Sequence, residues 1–261
     1  MSTNNILFIF EGERAECQIT NNLQQFFINE STIIKCAYCA EIYQLYREIN
    51  NDDDLDTFNL IKERNDKNKA ELCCYERNDF AEIYLFFDYD AHASAKDGDK
   101  KIMDMLTVFD NETDKGKLYL SYPMVEALKH FICYDTFKEL KVKCKGANCQ
   151  YIDNCKEKDE CLDKPHYKAI AASVNNPQVS DFTKYTGSIW LLLINAHLAK
   201  MNYIVNNLYE FPDKIVLQSD IFNEQLNKYI NKCCPEVAVL SAFPVFIHDY
   251  YGNQKTKEMI G

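Results

Sequence analysis

Carboxylates gather at the ends of apolar runs in this chain. "IYLFFDYD" (Ile83 to Asp90) carries an apolar and aromatic stretch straight into Asp88 and Asp90. Residues i and i+2 of a strand point the same way, so these two acids share a face. Two carboxylates so placed repel unless a cation or a shared proton lies between them. On its own an Asp-x-Asp reads first as an acidic surface turn. The other acids change that balance. "NILFIF" (Asn5 to Phe10) is followed at once by Glu11, then Gly12, with Glu16 a helical turn further on. "GKLYLSYP" (Gly116 to Pro123) leads to Glu126. Three apolar runs thus each release acids at their carboxyl ends, where open α/β sheets place their ligands. Carboxylate oxygens suit the hard cations Mg²⁺ and Mn²⁺. Paired ions of this kind stabilise the attacking and leaving oxygens of a phosphodiester displacement. A carboxylate not saturated by metal can orient or deprotonate the attacking water.

The elements that must position these acids alternate. "NILFIF" predicts a strand, and "GERAECQITNNLQQFFIN" a helix with Ala15, Ile19, Leu23 and Phe26 or Phe27 on one side. "STIIKCAYC" (Ser31 to Cys39) predicts a second strand and "AEIYQLYREI" a second helix. The charged stretch from Asn50 to Asp79 reads as surface helix and loop. The Asp88 strand comes third. "DGDKKIMDMLTVF" predicts the next helix, with Ile102, Met105, Leu106 and Phe109 facing inward. "GKLYLSYP" is the fourth strand, and "MVEALKHF" starts a helix behind it. This rhythm implies right-handed βαβ crossovers and a parallel sheet, hence an α/β fold. Beyond Phe131 the segments turn helical. "SDFTKYTGSIWLLLINAHLAKMNYIVNNL" and "SDIFNEQLNKYINKC" both open on Ser-Asp, an N-cap signal. "VLSAFPVFIHDYYG" is expected to pack back on the main body. The expected organisation is residues 1–131 as the α/β half and 132–261 as a mainly helical half with a Cys-rich loop at 144–166.

A length of 261 residues, 47% apolar and 26% charged, allows one large domain or two ordinary ones with ample core. The run "SIWLLLINAHLA" is broken by Asn195 and His197 and is too short to span a bilayer. No basic segment followed by an apolar core opens the chain, so the expectation is a cytoplasmic protein without a membrane partner. The net charge of −11 argues against a broad nucleic-acid surface but leaves room for a local basic channel. "KELKVKCK" (Lys138 to Lys145) is the densest basic tract; its alternative reading is a solvated helix face.

The 12 cysteines, in a reducing compartment, point to thiols or metal ligands rather than disulfides. Cys144, Cys149, Cys155 and Cys161 are spaced C-x4-C-x5-C-x5-C, with His166 five residues on. These spacings are wider than the usual zinc knuckle, yet a structural Zn²⁺ would explain how so polar a loop holds a shape. Free surface thiols are the alternative. Cys36 and Cys39 read as core, and the adjacent pairs Cys73–Cys74 and Cys233–Cys234 are poor chelators. His92, near the acids, reads as a ligand, a phosphate contact or a hydrogen-bonded loop histidine.

The order "FEGERAE", "FFDYD", "SYPMVEALKHF" resembles the TOPRIM domain of topoisomerases, primases and a class of bacterial nucleases. Within it the chain is most similar to the RloB-like and OLD-type group, linked to defence against phage. Ala15 stands where that group often has Thr, and "EALKH" departs from its usual aromatic and Leu residues. The resemblance covers Asn5 to about Phe131, and Ser121, Pro123, Glu126 and His130 match its last motif. It implies that Glu11, Asp88 and Asp90 are catalytic or metal-binding acids. Glu16 and Glu126 would complete a second Mg²⁺ or Mn²⁺ position, with His130 beside them. It also implies DNA or transfer RNA as substrate, and a separate ATPase partner, since no Gly-x4-Gly-Lys-Ser/Thr loop occurs here. The Asp-x-Asp of dehalogenase-type phosphatases fits less well, because here it lies on the third strand and is followed by Ala91 and His92. The expectation is a metal-dependent nuclease. A non-catalytic module that binds nucleic acid or protein through a zinc lobe is the alternative.

Overall fold

A computed structural model describes residues 5–28, 32–40, 42–52, 55–89, 97–144, 152–154, 156, 158–159 and 166–261. Its first part alternates as expected. Strand β1 (Asn5–Phe10) is buried throughout and is followed by helix α1 (Ala15–Phe27), β2 (Ile34–Tyr38) and α2 (Ile42–Asn51). Helices α3 (Thr57–Glu63) and α4 (Asp66–Glu71) lead to the nine-residue β3 (Phe80–Asp88). Helix α5 (Gly98–Val108), a two-residue β4 (Asp110–Asn111) and β5 (Gly116–Ser121) complete a mostly parallel five-stranded sheet ordered β2-β1-β3-β5-β4. β1 pairs in parallel with both β2 and β3, whereas the short β4 is antiparallel to β5.

By its contacts the chain forms two compact units, 1–87 with 100–119, and 88–99 with 120–261. In the first, cross-strand partners set the register: Phe8 lies opposite Tyr84 and Phe10 opposite Phe86. Phe8 meets Tyr84 edge-on at 5.9 Å between centroids, and Phe86 stacks on Tyr119 at 5.6 Å. Such aromatic pairs contribute about 0.5–1.5 kcal/mol each beyond the area they bury. The other face presents Leu7, Ile9, Ile83 and Leu85, all fully buried. Gly116 is required beneath that face: its φ is +104°, and a Cβ there would lie 2.6 Å from Leu85 Cδ1.

The charged stretch before β3 is more than surface. Asp56 and Asn65 cap α3 and α4 by accepting the amides of Asn59 and Asn68, each at 2.8 Å. Phe58, Ile61 and Leu72 are fully buried, a helical apolar spacing hidden in a highly charged context. Asn68 is buried too, and its side chain behaves as a detached peptide group on the outer edge of β2. It accepts Tyr38 N–H at 2.9 Å and donates to Tyr38 C=O and Ile61 C=O at 2.8 Å each. An edge strand offers unpaired backbone groups to any other chain, and here one side chain satisfies those of Tyr38.

The second unit carries helices α6 (Tyr134–Phe137), α7 (Tyr167–Ala172), α8 (Gly187–Asn206), α9 (Gln218–Gln225), α10 (Ala242–Tyr251) and α11 (Asn253–Ile260). A two-stranded antiparallel ribbon joins β6 (Lys141–Lys143) to β7 (Glu236–Ala238). The expected Ser-Asp caps move in both helices. Asp181 caps only a 3₁₀ turn (Phe182–Lys184), and Thr186 caps α8 through the Ile189 amide. α9 starts at Gln218, before its Ser-Asp pair, and Leu217 precedes it without a side-chain cap. Local Ser-Asp chemistry marks a turn here, while burial decides where the long helices begin. The apolar end of the chain packs within its own unit: Leu240 bridges Tyr122, and α10 buries Phe243, Phe246 and Ile247. No helix among the described residues is long and apolar enough to cross a membrane.

Helix α8 buries polar groups along with its apolar ones. Lys200 donates to the carbonyls of Phe137 (3.0 Å), Leu140 (2.9 Å) and Lys138, which ties the turn before β6 to the helix. His197 is fully buried and accepts Ser241 N–H at Nδ1, 3.1 Å away.

Two outcomes follow. Asn68→Ala should lower stability by about 2–3 kcal/mol, because Tyr38 N–H loses its acceptor inside the protein; denaturant midpoints measure this. Burial, and then the Lys200 charge, pull His197 down to about 3 from its usual value of 6.5. The unfolded chain therefore binds the extra proton between those values. This contribution to stability is complete above about pH 6.5 and is lost at about 1.4 kcal/mol per pH unit as the pH drops toward 3. His197→Gln, which keeps an acceptor for Ser241, should flatten this acid limb relative to wild type in denaturation curves.

Candidate acidic site at the strand ends

The acids fall in both units. In the first, Glu11 directly follows β1, and Glu16 lies in the first turn of α1, 7% exposed. Glu16 folds back over Gly12. A Cβ on Gly12 would lie 2.8 Å from Glu16 Oε1 and 3.0 Å from Oε2. The Gly between the two acids therefore has a physical reason: it leaves room for a carboxylate to return over the turn.

In the second unit, Asp88 is the last residue of β3 and is 9% exposed. Its Oδ1 accepts the backbone amide of Val125 at 2.8 Å. Val125 opens a single 3₁₀ turn (Val125–Leu128), where the sequence predicted the start of a longer helix. The difference has a local cause. The turn follows the cis peptide Tyr122–Pro123, and its leading amide is capped by the Asp88 carboxylate instead of by a neighbour in sequence. Asp88 thus holds Glu126 in place through the adjacent peptide unit. Glu126 Oε1 lies 3.8 Å from the exposed Lys168 Nζ, and Glu126 Oε2 is buried with no hydrogen-bond partner among the described residues.

His130, two residues after this turn, is 6% exposed, and its Nδ1 lies 3.1 Å from Tyr167 Oη. Burial pulls His130 below its usual value, so the ring is neutral at neutral pH. Burial first, then the charges of Glu126 and Asp88, push the Tyr167 phenol far up. A phenol that keeps its proton donates to Nδ1, which leaves the ring hydrogen on Nε2. Lys129 lies 3.8 Å over the Phe182 ring, and burial lowers its pKa. Ser121 is structural: its hydroxyl accepts Ala242 N–H at 3.3 Å, at the start of α10.

Asp90 and His92 lie outside the described residues, as do Cys149, Cys155 and Cys161. Cys144 is buried at the end of β6, where its amide donates to Pro235 C=O at 3.1 Å. His166 precedes α7 and is exposed. Among the described residues no three His, Cys, Asp or Glu side chains are gathered closely enough to hold a metal ion. The basic tract forms a turn and β6: Lys141 pairs with Glu236 at 2.7 Å and Lys138 lies 4.6 Å over the Tyr203 ring. Tyr167 and Lys168 were not foreseen. They follow the Cys-rich loop, and nothing in "PHYKAI" marks them; only the folding of α7 against the Val125 turn reveals them.

Comparison with protein-family models, curated proteins and solved structures finds no match to this chain.

The Asp88 carboxylate has two separable properties, an acceptor for Val125 and a negative charge. Asp88→Asn, with its amide oxygen toward Val125, should keep the turn and unfold near the wild-type midpoint. Asp88→Ala should lose about 1–2 kcal/mol, the usual cost of an emptied cap. Thermal or denaturant unfolding of the three proteins measures this difference.

Proposed function

We propose that this chain is a metal-dependent endonuclease with a TOPRIM-like catalytic half, acting on DNA or transfer RNA as an effector of anti-phage defence. The observation that carries the reading is Glu126 Oε2, buried and without a hydrogen-bond partner among the described residues, one residue after the Val125 amide that Asp88 accepts. A buried carboxylate oxygen without a partner is unfavourable unless water or a cation satisfies it. Support also comes from the sheet, where β1 and β3 run side by side in parallel and Phe10 pairs with Phe86. The acids that follow each strand are those that the motif resemblance assigns: Glu11, Asp88 and Asp90.

The oxygen donors Asp88 and Glu126 fit Mg²⁺ or Mn²⁺, with Asp90, Glu11 and Glu16 completing the set that the resemblance implies. Such an ion supplies charge stabilisation to a phosphoryl oxygen and lowers the pKa of a bound water. The chain's own groups do the rest. Asp88, fixed by Val125 N–H, keeps its second oxygen in a set direction. Lys168, exposed beside Glu126, would meet a backbone phosphate. His130 is held by Tyr167 in the tautomer whose Nε2–H donates, so it positions a phosphate oxygen or a water. A separate ATPase partner would control the chain, and a structural Zn²⁺ on Cys144, Cys149, Cys155 and Cys161 would shape the insert.

The experiment is cleavage of plasmid DNA and total transfer RNA with Mn²⁺ by wild type, Asp88→Asn and Glu126→Gln, beside metal-dependent thermal shifts of the same proteins. The expected outcome is cutting by wild type alone, abolished by EDTA, and a Mn²⁺-induced rise in Tm that both variants lose. Folded wild type that shows neither cutting nor a shift in Tm would overturn the proposal in favour of a binding module.

A further inference from the structure

Two thiols stand side by side on the surface of the first unit, in the turn that follows α4. Cys73 and Cys74 are both exposed, and their sulfurs lie 3.4 Å apart. Successive side chains diverge on a helix and alternate along a strand, so this approach is a property of the turn. The turn is well anchored. Leu72 is fully buried and its amide donates to Asn68 C=O at 2.8 Å, while Tyr75 N–H donates to Leu72 C=O at 3.0 Å and closes the chain around the two cysteines. The Tyr75 ring lies 5.4 Å from that of Phe80, at the start of β3, and the Lys35 ammonium of β2 sits 5.3 Å from its centre. Tyr75 C=O accepts Lys62 Nζ of α3 at 2.8 Å. Contacts from α3, β2 and β3 thus fix the backbone, and both cysteines stay open to solvent.

We propose that Cys73 and Cys74 form a binding site for a trivalent arsenical, a thiol-seeking centre that takes two sulfurs and brings its third substituent with it. The spacing selects the ligand. At a bond length of about 2.3 Å, two sulfurs on one centre lie about 4.6 Å apart in a line, about 3.8 Å at a tetrahedral angle and about 3.3 Å at a right angle. The observed 3.4 Å is nearest the last, the geometry of a pyramidal centre with a lone pair. Adjacent cysteines are poor ligands for tetrahedral zinc for the same reason. Binding is a substitution without electron transfer. Each sulfur forms a bond to arsenic, both bonds between arsenic and its oxide oxygen break, and that oxygen leaves as water with the two thiol protons. Arsenic stays trivalent and neither sulfur is oxidised. Because the turn already holds the sulfurs at bridging distance, closing the ring orders little that was free. The pair precedes the amino end of β3, whereas the acids follow the carboxyl ends of strands, so this site is independent of the nuclease reading.

The test gives the reduced, full-length protein one equivalent of phenylarsine oxide in the presence of glutathione, a monothiol that displaces arsenic held by a single sulfur. Remaining thiols are alkylated, the arsenical is removed with excess 2,3-dimercaptopropanol, and the released thiols take a second alkylating label before peptide mapping. The expected result is the second label on Cys73 and Cys74 together. Cys73→Ser and Cys74→Ser should each lose that protection at the thiol that remains, since one sulfur does not hold arsenic against glutathione. First-label alkylation of both residues in the wild type, with the protection on other cysteines or on none, would overturn the proposal. So would protection of one of the pair that survives substitution of its neighbour. Both positions are exposed, and the wild-type map decides the matter even where a variant fails to fold.

Discussion

The register of β1 against β3 is the constraint from which the other placements descend. Phe8 faces Tyr84 and Phe10 faces Phe86, while Leu7, Ile9, Ile83 and Leu85 fill the opposite face. A slip of one residue would turn every side chain of a strand to the other face and bring aromatic rings against the space that Gly116 leaves for Leu85. The packing tolerates one alignment only. That alignment decides where each strand stops, and therefore where Glu11 leaves β1 and Asp88 ends β3. The acids are carried by the strands, but it is the apolar register that aims them.

At the end of β3 the problem passes from apolar packing to polar satisfaction. A 3₁₀ turn presents amides with no partner inside it, and Asp88 supplies one acceptor. The same carboxylate is thereby both a structural cap and the candidate chemical group, and these two duties are separable by charge. Glu126 sits in the turn so held, with one oxygen toward Lys168 and the other without a hydrogen-bond partner among the described residues. His130 and Tyr167 complete a sequence of dependence in which each group is oriented by the next, with the phenol kept protonated by burial and by the two nearby carboxylates.

Elsewhere buried polar side chains do work that backbone would otherwise do. Asn68 pairs the outer Tyr38 N–H and C=O at the end of β2 and ties them to Ile61 C=O, and Lys200 gathers three carbonyls at the turn before β6. Both lie in elements whose sequences read as charged surface or apolar helix, and neither role has a local signature. The same is true of the Cys17–Tyr38 contact, which depends on a helix crossing over a strand.

Much of the α/β half was legible because its signals are local. The strands are short apolar runs closed by acids, Gly or Pro, and α5 shows its Ile102, Met105, Leu106 and Phe109 side at helical spacing; all four are buried. Gly12 after Glu11 likewise announces the turn that ends β1. Local pattern determined these, since side-chain periodicity reports which face is hidden. What only the tertiary structure decided are the partners. Asp88 on Val125, Tyr167 on His130, Asn68 on Tyr38 and Cys17 on Tyr38 join residues from 21 to 37 positions apart. A hydrogen bond forms between groups that packing brings within reach, whatever their separation along the chain, and no spacing rule encodes that meeting.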